Sequence, residues 1–297
     1  MRNRMFICVI GVAWLFFMAG CGPQQFKSDL FLPFESASSA GPTAMTHNGI
    51  DLILATSNQI IFSRNMRIEP FIAVGQHMEP ANYSEGGRFP LQLYGGASIC
   101  GLAWESRCCH KGFLWIADAS EKVILKFGEG REAQAQFASP GSAPSGLSHD
   151  GQHLWLCDQA DGVIRKIDPD TGRTLQTLRS PVRHPTGIAW DCGHLWVVGL
   201  PRCAEAQRGC KRPRLVRIDL EQAVSDQEIV LPDMVTQPNA LAWSGGYLWV
   251  GDRASNRVFR FSTSKTLSID PKTIEIISYA GEKAAGVPMA IGAASAR

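Results

Sequence analysis

Apolar and polar positions alternate along this chain in short runs. Segments such as Leu102-Ala103-Trp104, Leu114-Trp115, Leu154-Trp155 and Leu248-Trp249-Val250 are apolar, aromatic or β-branched, and they stop at Gly, Asp, Asn or Ser. That is the pattern of short strands joined by tight turns. No long stretch sustains a 3.6-residue period, so no helical domain competes with this reading. The runs also recur in a fixed order. PTAMTHNGIDLI runs from Pro42 to Ile53, PSGLSHDGQHLW from Pro144 to Trp155, PTGIAWDCGHLW from Pro185 to Trp196, and PNALAWSGGYLW from Pro238 to Trp249. The first and last positions differ by 11 in all four. A fifth copy, SICGLAWESRCCHKGFLW, runs from Ser98 to Trp115 with five extra residues in its turn.

Each copy predicts a first strand, a hairpin turn and a second strand. Asn48-Gly49, Asp150-Gly151, Cys192-Gly193 and Gly245-Gly246 fall at the turns, where a positive φ is needed. Third strands are expected at Ile60–Phe62, Val123–Phe127, Val163–Ile167, Leu215–Ile218 and Val258–Phe261, and fourth strands at Thr174–Leu178 and Thr273–Ser278. Four antiparallel strands in a repeat of about 40 residues make one blade of a β-propeller. The expected fold is therefore all-β, a propeller of five blades, with six as the alternative because Val287–Ile291 reads as a further innermost strand. Leu30-Phe31-Leu32 would close the ring by adding a strand to a C-terminal blade, which removes an exposed edge.

The pattern P-x-G-L-A-W-D-G-x-x-L-W-V-x-D, followed by R-V-x-R-F, is similar to the NHL, SMP-30/gluconolactonase and YncE-like propeller repeats, over residues 42–292. The resemblance is one of blades, which enzymes and binding proteins share. Within it, Gln237-Pro238-Asn239-Ala240 resembles the Pro-Asn-Gly segment whose Asn holds a divalent metal in SMP-30 lactonases. No carboxylate stands at the equivalent positions of the other blades, and Ala240 replaces the third Gly, so the lactonase ligand set is matched at Asn239 alone.

The first 20 residues change the picture of where such a ring would reside. Arg2 and Arg4 precede an apolar run from Met5 to Met18, shorter than a membrane span, and Ala19-Gly20 precedes Cys21. Met18-Ala19-Gly20-Cys21 resembles the bacterial lipobox, which implies a signal peptide over 1–20 and lipidation of Cys21 with several acyl chains. Residues 21–41 then form a tether and closing strand, and 42–297 a single propeller domain. The expected address is the cell envelope, with Gly22 after the cysteine favouring the outer over the inner membrane where a cell has both. Setting Arg2 and Arg4 aside leaves 27 basic against 27 acidic side chains, and a neutral chain carries no electrostatic footprint for nucleic acid.

Candidate chemistry is sparse. The residue after each repeat proline, or its equivalent, is Thr43, Cys100, Ser145, Thr186 or Asn239, a polar, uncharged set at the strand starts. It would either cap those strands or line a small-ligand site in the channel. Asp118, Asp158 and Asp252 recur at the ends of second strands and read as turn caps. The seven histidines show no metal-ligand spacing, and no nucleophile elbow, phosphate loop or dinucleotide fingerprint is present. Neither a catalytic set, a metal site nor a cofactor is expected. Of nine cysteines, seven remain after Cys8 and Cys21. Cys203 and Cys210 bracket a basic insertion and form the best disulfide pair; Cys108 or Cys109 could reach Cys192, and Cys100 could pair with Cys157. The expectation is a membrane-anchored binding or scaffold module for a protein or small ligand. The alternative is an exported propeller enzyme, resembling glutaminyl cyclotransferases with Glu79, Glu85 or Glu105 as its carboxylate, or, as the lesser choice, SMP-30-like lactonases.

Overall fold

The computed structural model describes residues 31–33, 41–49, 51–56, 60–63, 85–89, 98–107, 112–128, 133–202, 212–263, 267–274 and 276–279. All regular structure among them is β. Strand β1 (Phe31–Pro33) precedes the first blade, which holds β2 (Ala44–His47), β3 (Leu52–Ala55), β4 (Ile60–Ser63) and β5 (Glu85–Phe89). Blade two holds β6 (Ile99–Ser106), β7 (Gly112–Asp118), β8 (Val123–Phe127) and β9 (Ala133–Ala138). Blade three holds β10 (Pro144–His149), β11 (Leu154–Asp158), β12 (Val163–Ile167) and β13 (Thr174–Arg179). Blade four holds β14 (Val182–Asp191), β15 (His194–Pro201), β16 (Arg214–Asp219) and β17 (Val224–Val230). Blade five is built on β18 (Pro238–Ser244), β19 (Tyr247–Asp252) and β20 (Arg257–Ser262), and the chain continues through β21 (Leu267–Thr273) and β22 (Ile276–Tyr279).

These strands form five antiparallel sheets arranged as a β-propeller. The first strands β2, β6, β10, β14 and β18 neighbour one another in a circle, with β18 returning to β2. Five apolar clusters fill the spaces between blades. The one joining the last blade to the first contains Met45, Leu52 and Leu54 from one side and Ala240, Ala242, Trp249 and Val258 from the other. Ile53, Trp115, Trp155, Trp196 and Trp249, the anchors of the repeat, each pack toward the following blade and are 3% exposed or less. Burying a side chain of this size stabilises the fold by roughly 1.5–3 kcal/mol.

The small residue two places after the repeat proline has a steric cause. A Cβ on Gly146 would lie 2.9 Å from Gly187 Cα in the next blade, so a larger side chain would push the inner strands apart. At the Cys192-Gly193 turn both residues have positive φ, 38° and 110°, as a two-residue hairpin requires.

The closing strand falls where the sequence places it: Phe31 pairs with Phe259 and Pro33 with Arg257, so β1 is the fourth strand of blade five. The fourth strand expected at Thr273–Ser278 does not form in that blade. β21 instead adds a fifth strand to blade four, beside β17, and β22 a fifth to blade three, beside β13. With β1 occupying the free side of β20, the C-terminal stretch has no partner in its own blade and pairs with earlier ones. Val287–Ile291, the expected sixth innermost strand, and residues 1–30 lie outside the described residues.

Candidate functional site

The first strand of each blade presents two levels of side chains to the ring. At the strand starts, the polar set is occupied by backbone acceptors. Ser145 Oγ donates to Pro185 O of the next blade (2.6 Å), and Thr186 Oγ1 to Pro238 O of the blade after that (2.5 Å). Thr43 Oγ1 donates to Ala55 O (3.3 Å) and Cys100 Sγ to Ala117 O (3.4 Å), each on the second strand of its own blade. Asn239 differs, for its buried Oδ1 has no hydrogen-bond partner among the described residues. These five side chains share one end of the inner ring, and none of them lines the cavity described next.

That cavity, of about 630 Å³, lies along the second half of the first strands and reaches the hairpin residues Gly49, Ser106 and Gly245. Counting five residues on from each repeat proline, or its equivalent, gives His47, Trp104, His149, Trp190 and Trp243, and all five line it. Above them Met45, Leu102, Leu147, Ile188 and Leu241 form an apolar layer. Period-two alternation keeps both levels on the same side of each strand. Thr46, Ser106, Ser148 and Ser244 add polar groups, and among the described residues no Asp, Glu, Lys or Arg lines it. The sequence carried a signal for this belt, since its members stand at one constant offset. Aromatic side chains on short strands read as core, however, and these are half-buried.

The two histidines are fixed alike. His47 Nδ1 accepts from Gly49 N–H (2.9 Å) and His149 Nδ1 from Gly151 N–H (3.1 Å), which leaves each Nε2 as the protonated donor. Burial drives His47 down to about 4. Burial also lowers His149, against the opposing charges of Glu105 and Asp150. Both rings are therefore neutral at pH 7. Trp243 Nε1 is buried without a hydrogen-bond partner among the described residues, so the belt holds an unused donor.

The carboxylates nearest this end are engaged sideways, within the blades. Glu105, Asp150 and Asp191 accept from the indole Nε1 of Trp115 (2.9 Å), Trp155 (2.8 Å) and Trp196 (3.0 Å). Glu105 also pairs with Lys126 at 2.8 Å. Burial would raise its pKa, but the bonds from Lys126 and Trp115 outweigh burial and hold it below the ordinary value. Asp150 is lowered in the same way, its burial outweighed by Trp155 and by the N–H groups of Gln152 and His153. Asp191, in a tighter turn, is raised because burial dominates. Of the other candidate carboxylates, Glu79 and the side chain of Glu85 lie outside the described residues. Asp118, Asp158 and Asp252 cap turns. Asp252, for instance, accepts from the N–H groups of Thr236, Gln237 and Ser255. Among the described residues no group of three or more His, Cys, Asp and Glu could hold a metal ion.

Cys100 and Cys157 do not pair; both are free thiols. Cys157 packs between blades three and four, whereas Cys100 packs between blades two and three, so the body of blade three separates them. Burial, then the charge of Asp118, pushes the Cys100 thiol up to about 12, and burial raises Cys157 further. Neither is a reactive thiolate at neutral pH. Cys192 is disulfide-bonded. Cys21, Cys108, Cys109, Cys203 and Cys210 lie outside the described residues.

No family model matches the chain, and no curated protein matches it in sequence. Solved structures do match. A glutaminyl cyclase from Myxococcus xanthus superposes with a TM-score of 0.54 at 11% identity, over 82% of this chain and 97% of that one. The likeness is one of fold. The WD40 β-propeller domain of Doa1 has a TM-score of 0.46 at 17% identity, over 75% of this chain and 64% of that one. A catalytically inactive virginiamycin B lyase from Staphylococcus aureus has a TM-score of 0.46 at 15% identity, over 81% and 87%.

Proposed function

We infer that this chain is a binding module of the cell envelope, tethered by lipid on Cys21, whose aromatic cavity receives a small neutral ligand. One observation carries the reading: five side chains at one repeat position, three indoles and two neutral imidazoles, converge on a cavity lined, among the described residues, by no charged side chain. Indole faces stack on flat apolar faces, those of sugar rings or aromatic groups. Imidazole Nε2–H groups, the Trp243 Nε1–H and the serine hydroxyls then supply hydrogen bonds that need no counter-charge. A charged ligand would surrender its hydration there without compensation. The N-terminal signal features support the address, and lack of a basic stripe argues against nucleic acid.

The test is a titration followed by tryptophan fluorescence, with neutral oligosaccharides on one arm and their sulfated or uronic-acid counterparts on the other. Binding of a neutral sugar, weakened at least tenfold by Trp190→Ala and by Trp243→Ala, is the expected result. A preference for the charged counterparts, or no response to any neutral probe, would overturn it.

A second reading, cyclisation of N-terminal glutamine, is favoured only by the fold shared with the Myxococcus xanthus enzyme. That reaction joins the terminal amine to the side-chain amide carbon and expels ammonia, so it calls for a proton-transferring group. Glu105, bound to Lys126 and Trp115 and absent from the cavity lining, is badly placed to serve. Ammonia release from an N-terminal glutaminyl peptide would favour this second reading over the first.

A further inference from the structure

The belt of the cavity is two-sided. First strands follow one another around the ring in blade order, so His47, Trp104 and His149 occupy one arc and Trp190 and Trp243 the other. Each imidazole opens its own hairpin. His47-Asn48-Gly49 and His149-Asp150-Gly151 are the same three-residue device, with φ of 94° and 98° at the glycines. Asn48 Oδ1 accepts from Asp51 N–H (2.6 Å) and Asp150 Oδ1 from His153 N–H (2.7 Å), which closes the turns. The closed turns send the glycine N–H groups back to Nδ1 of each ring, at 2.9 and 3.1 Å.

A lone pair engaged at Nδ1 puts the proton of a neutral imidazole on Nε2. Two blades thus build the same N–H donor into the cavity wall. Such a nitrogen has no lone pair for a metal ion unless the turn gives up its own hydrogen bond. Trp243 Nε1–H, buried without a partner among the described residues, is a third fixed donor, from the opposite arc.

Acceptors are scarcer. Only hydroxyls among the described lining side chains can accept, and Ser148 Oγ already receives Trp190 N–H (2.9 Å). A hydroxyl on the ligand would bring a further proton in need of an acceptor. A carbonyl oxygen brings two lone pairs and no proton. A buried donor left unpaired costs more than a neutral bond returns, so the surplus of donors selects the ligand that fills them.

We propose, on the neutral-ligand reading of this cavity, that the imidazole arc reads an amide carbonyl. Nε2–H of His47 and of His149 donate to it, while the flat group that bears the amide stacks on Trp190 and Trp243. The rotatable hydroxyls of Thr46 and Ser244 meet the amide N–H. An acetamido sugar and a capped peptide both carry this chemistry.

Tryptophan fluorescence titrations of the detergent-solubilised full chain test this with three probes. They are N,N′-diacetylchitobiose, cellobiose, which has hydroxyls in place of the acetamido groups, and an N-acetylated dipeptide amide. An amide probe is expected to bind about tenfold more tightly than cellobiose, and which of the two does so tells sugar from peptide. That preference should collapse in His47→Phe and His149→Phe. It should return in His47→Gln and His149→Gln, whose amide N–H stands in for Nε2–H. Nitrogen-15 spectra of the histidine rings should show the proton on Nε2 with and without the probe. Cellobiose binding as tightly as either amide, a preference unmoved in the Phe variants, or a proton on Nδ1 overturns the proposal and leaves the neutral-ligand reading standing. Binding of none of the three overturns both.

Discussion

Trp249 has no hydrogen-bond partner for its buried Nε1 among the described residues, and the reason lies five positions upstream. Blades three and four place Asp150 and Asp191 at that offset from Trp155 and Trp196, and each carboxylate accepts the indole proton. Blade five has Ser244 there, whose side chain is too short to reach, and the Trp249 ring is instead covered by Arg260 at 5.6 Å. Ser244→Asp should supply the missing acceptor and raise stability by about 1 kcal/mol, seen as a higher urea midpoint at unchanged slope. Asp150→Ala, which orphans Trp155 Nε1, should cost about 1–3 kcal/mol in the same assay. If neither substitution moved the midpoint, the carboxylate–indole bond would add nothing to the fold. In the sequence Asp150 reads as a turn residue and Glu105 as a candidate channel group, and Asp191 carries no separate signal. Their real partners sit on the adjacent strand, and only the hairpin brings the two together.

Among elements, the first and second strands of every blade were the most legible, because Pro-x-small-apolar and Leu-Trp stand at a fixed distance and must be buried on both sides. Third strands were nearly as clear; Val123–Phe127 and Val163–Ile167 match to the residue. Among outer strands only the one expected at Thr174–Leu178 was found, as β13 (Thr174–Arg179). β9 and β17 lack an apolar run because one of their sides meets solvent or a late-arriving strand, so periodicity had little to report. The belt at the hairpin end was missed for the opposite reason: its tryptophans looked like core. β1 was legible from a scrap of apolar sequence, and its three backbone pairings close the ring. Removing residues 22–40 should therefore leave β20 as an edge, lower stability by about 2 kcal/mol, or roughly 5 °C in Tm, and promote association. Calorimetry with light scattering would show this, and a truncated chain melting at the native temperature would mean that β1 contributes no stability.

The molecule as a whole is a circle whose first and last described strands are worked into its rim. β1 comes from the N-terminal side and pairs with β20, after which the chain runs back over blades four and three. Among the described residues the closure is sealed by strand pairing and by the cluster around Met45 and Trp249. The proposed address rests on the other end of the tether, at Cys21. Metabolic labelling with an alkyne fatty acid should mark the native chain and fail to mark Cys21→Ser. Equal labelling of the two, or none of either, would remove the lipid from the account. With the lipid in place, the position of β1 becomes a mooring. Nine residues lie between Cys21 and Phe31, and ten steps of at most about 3.6 Å each limit the hawser to about 36 Å. Such a line would be made fast at the outer strand of blade five, on the rim, whereas the aromatic cavity is lined by the inner strands, so the mooring point and the mouth would lie apart.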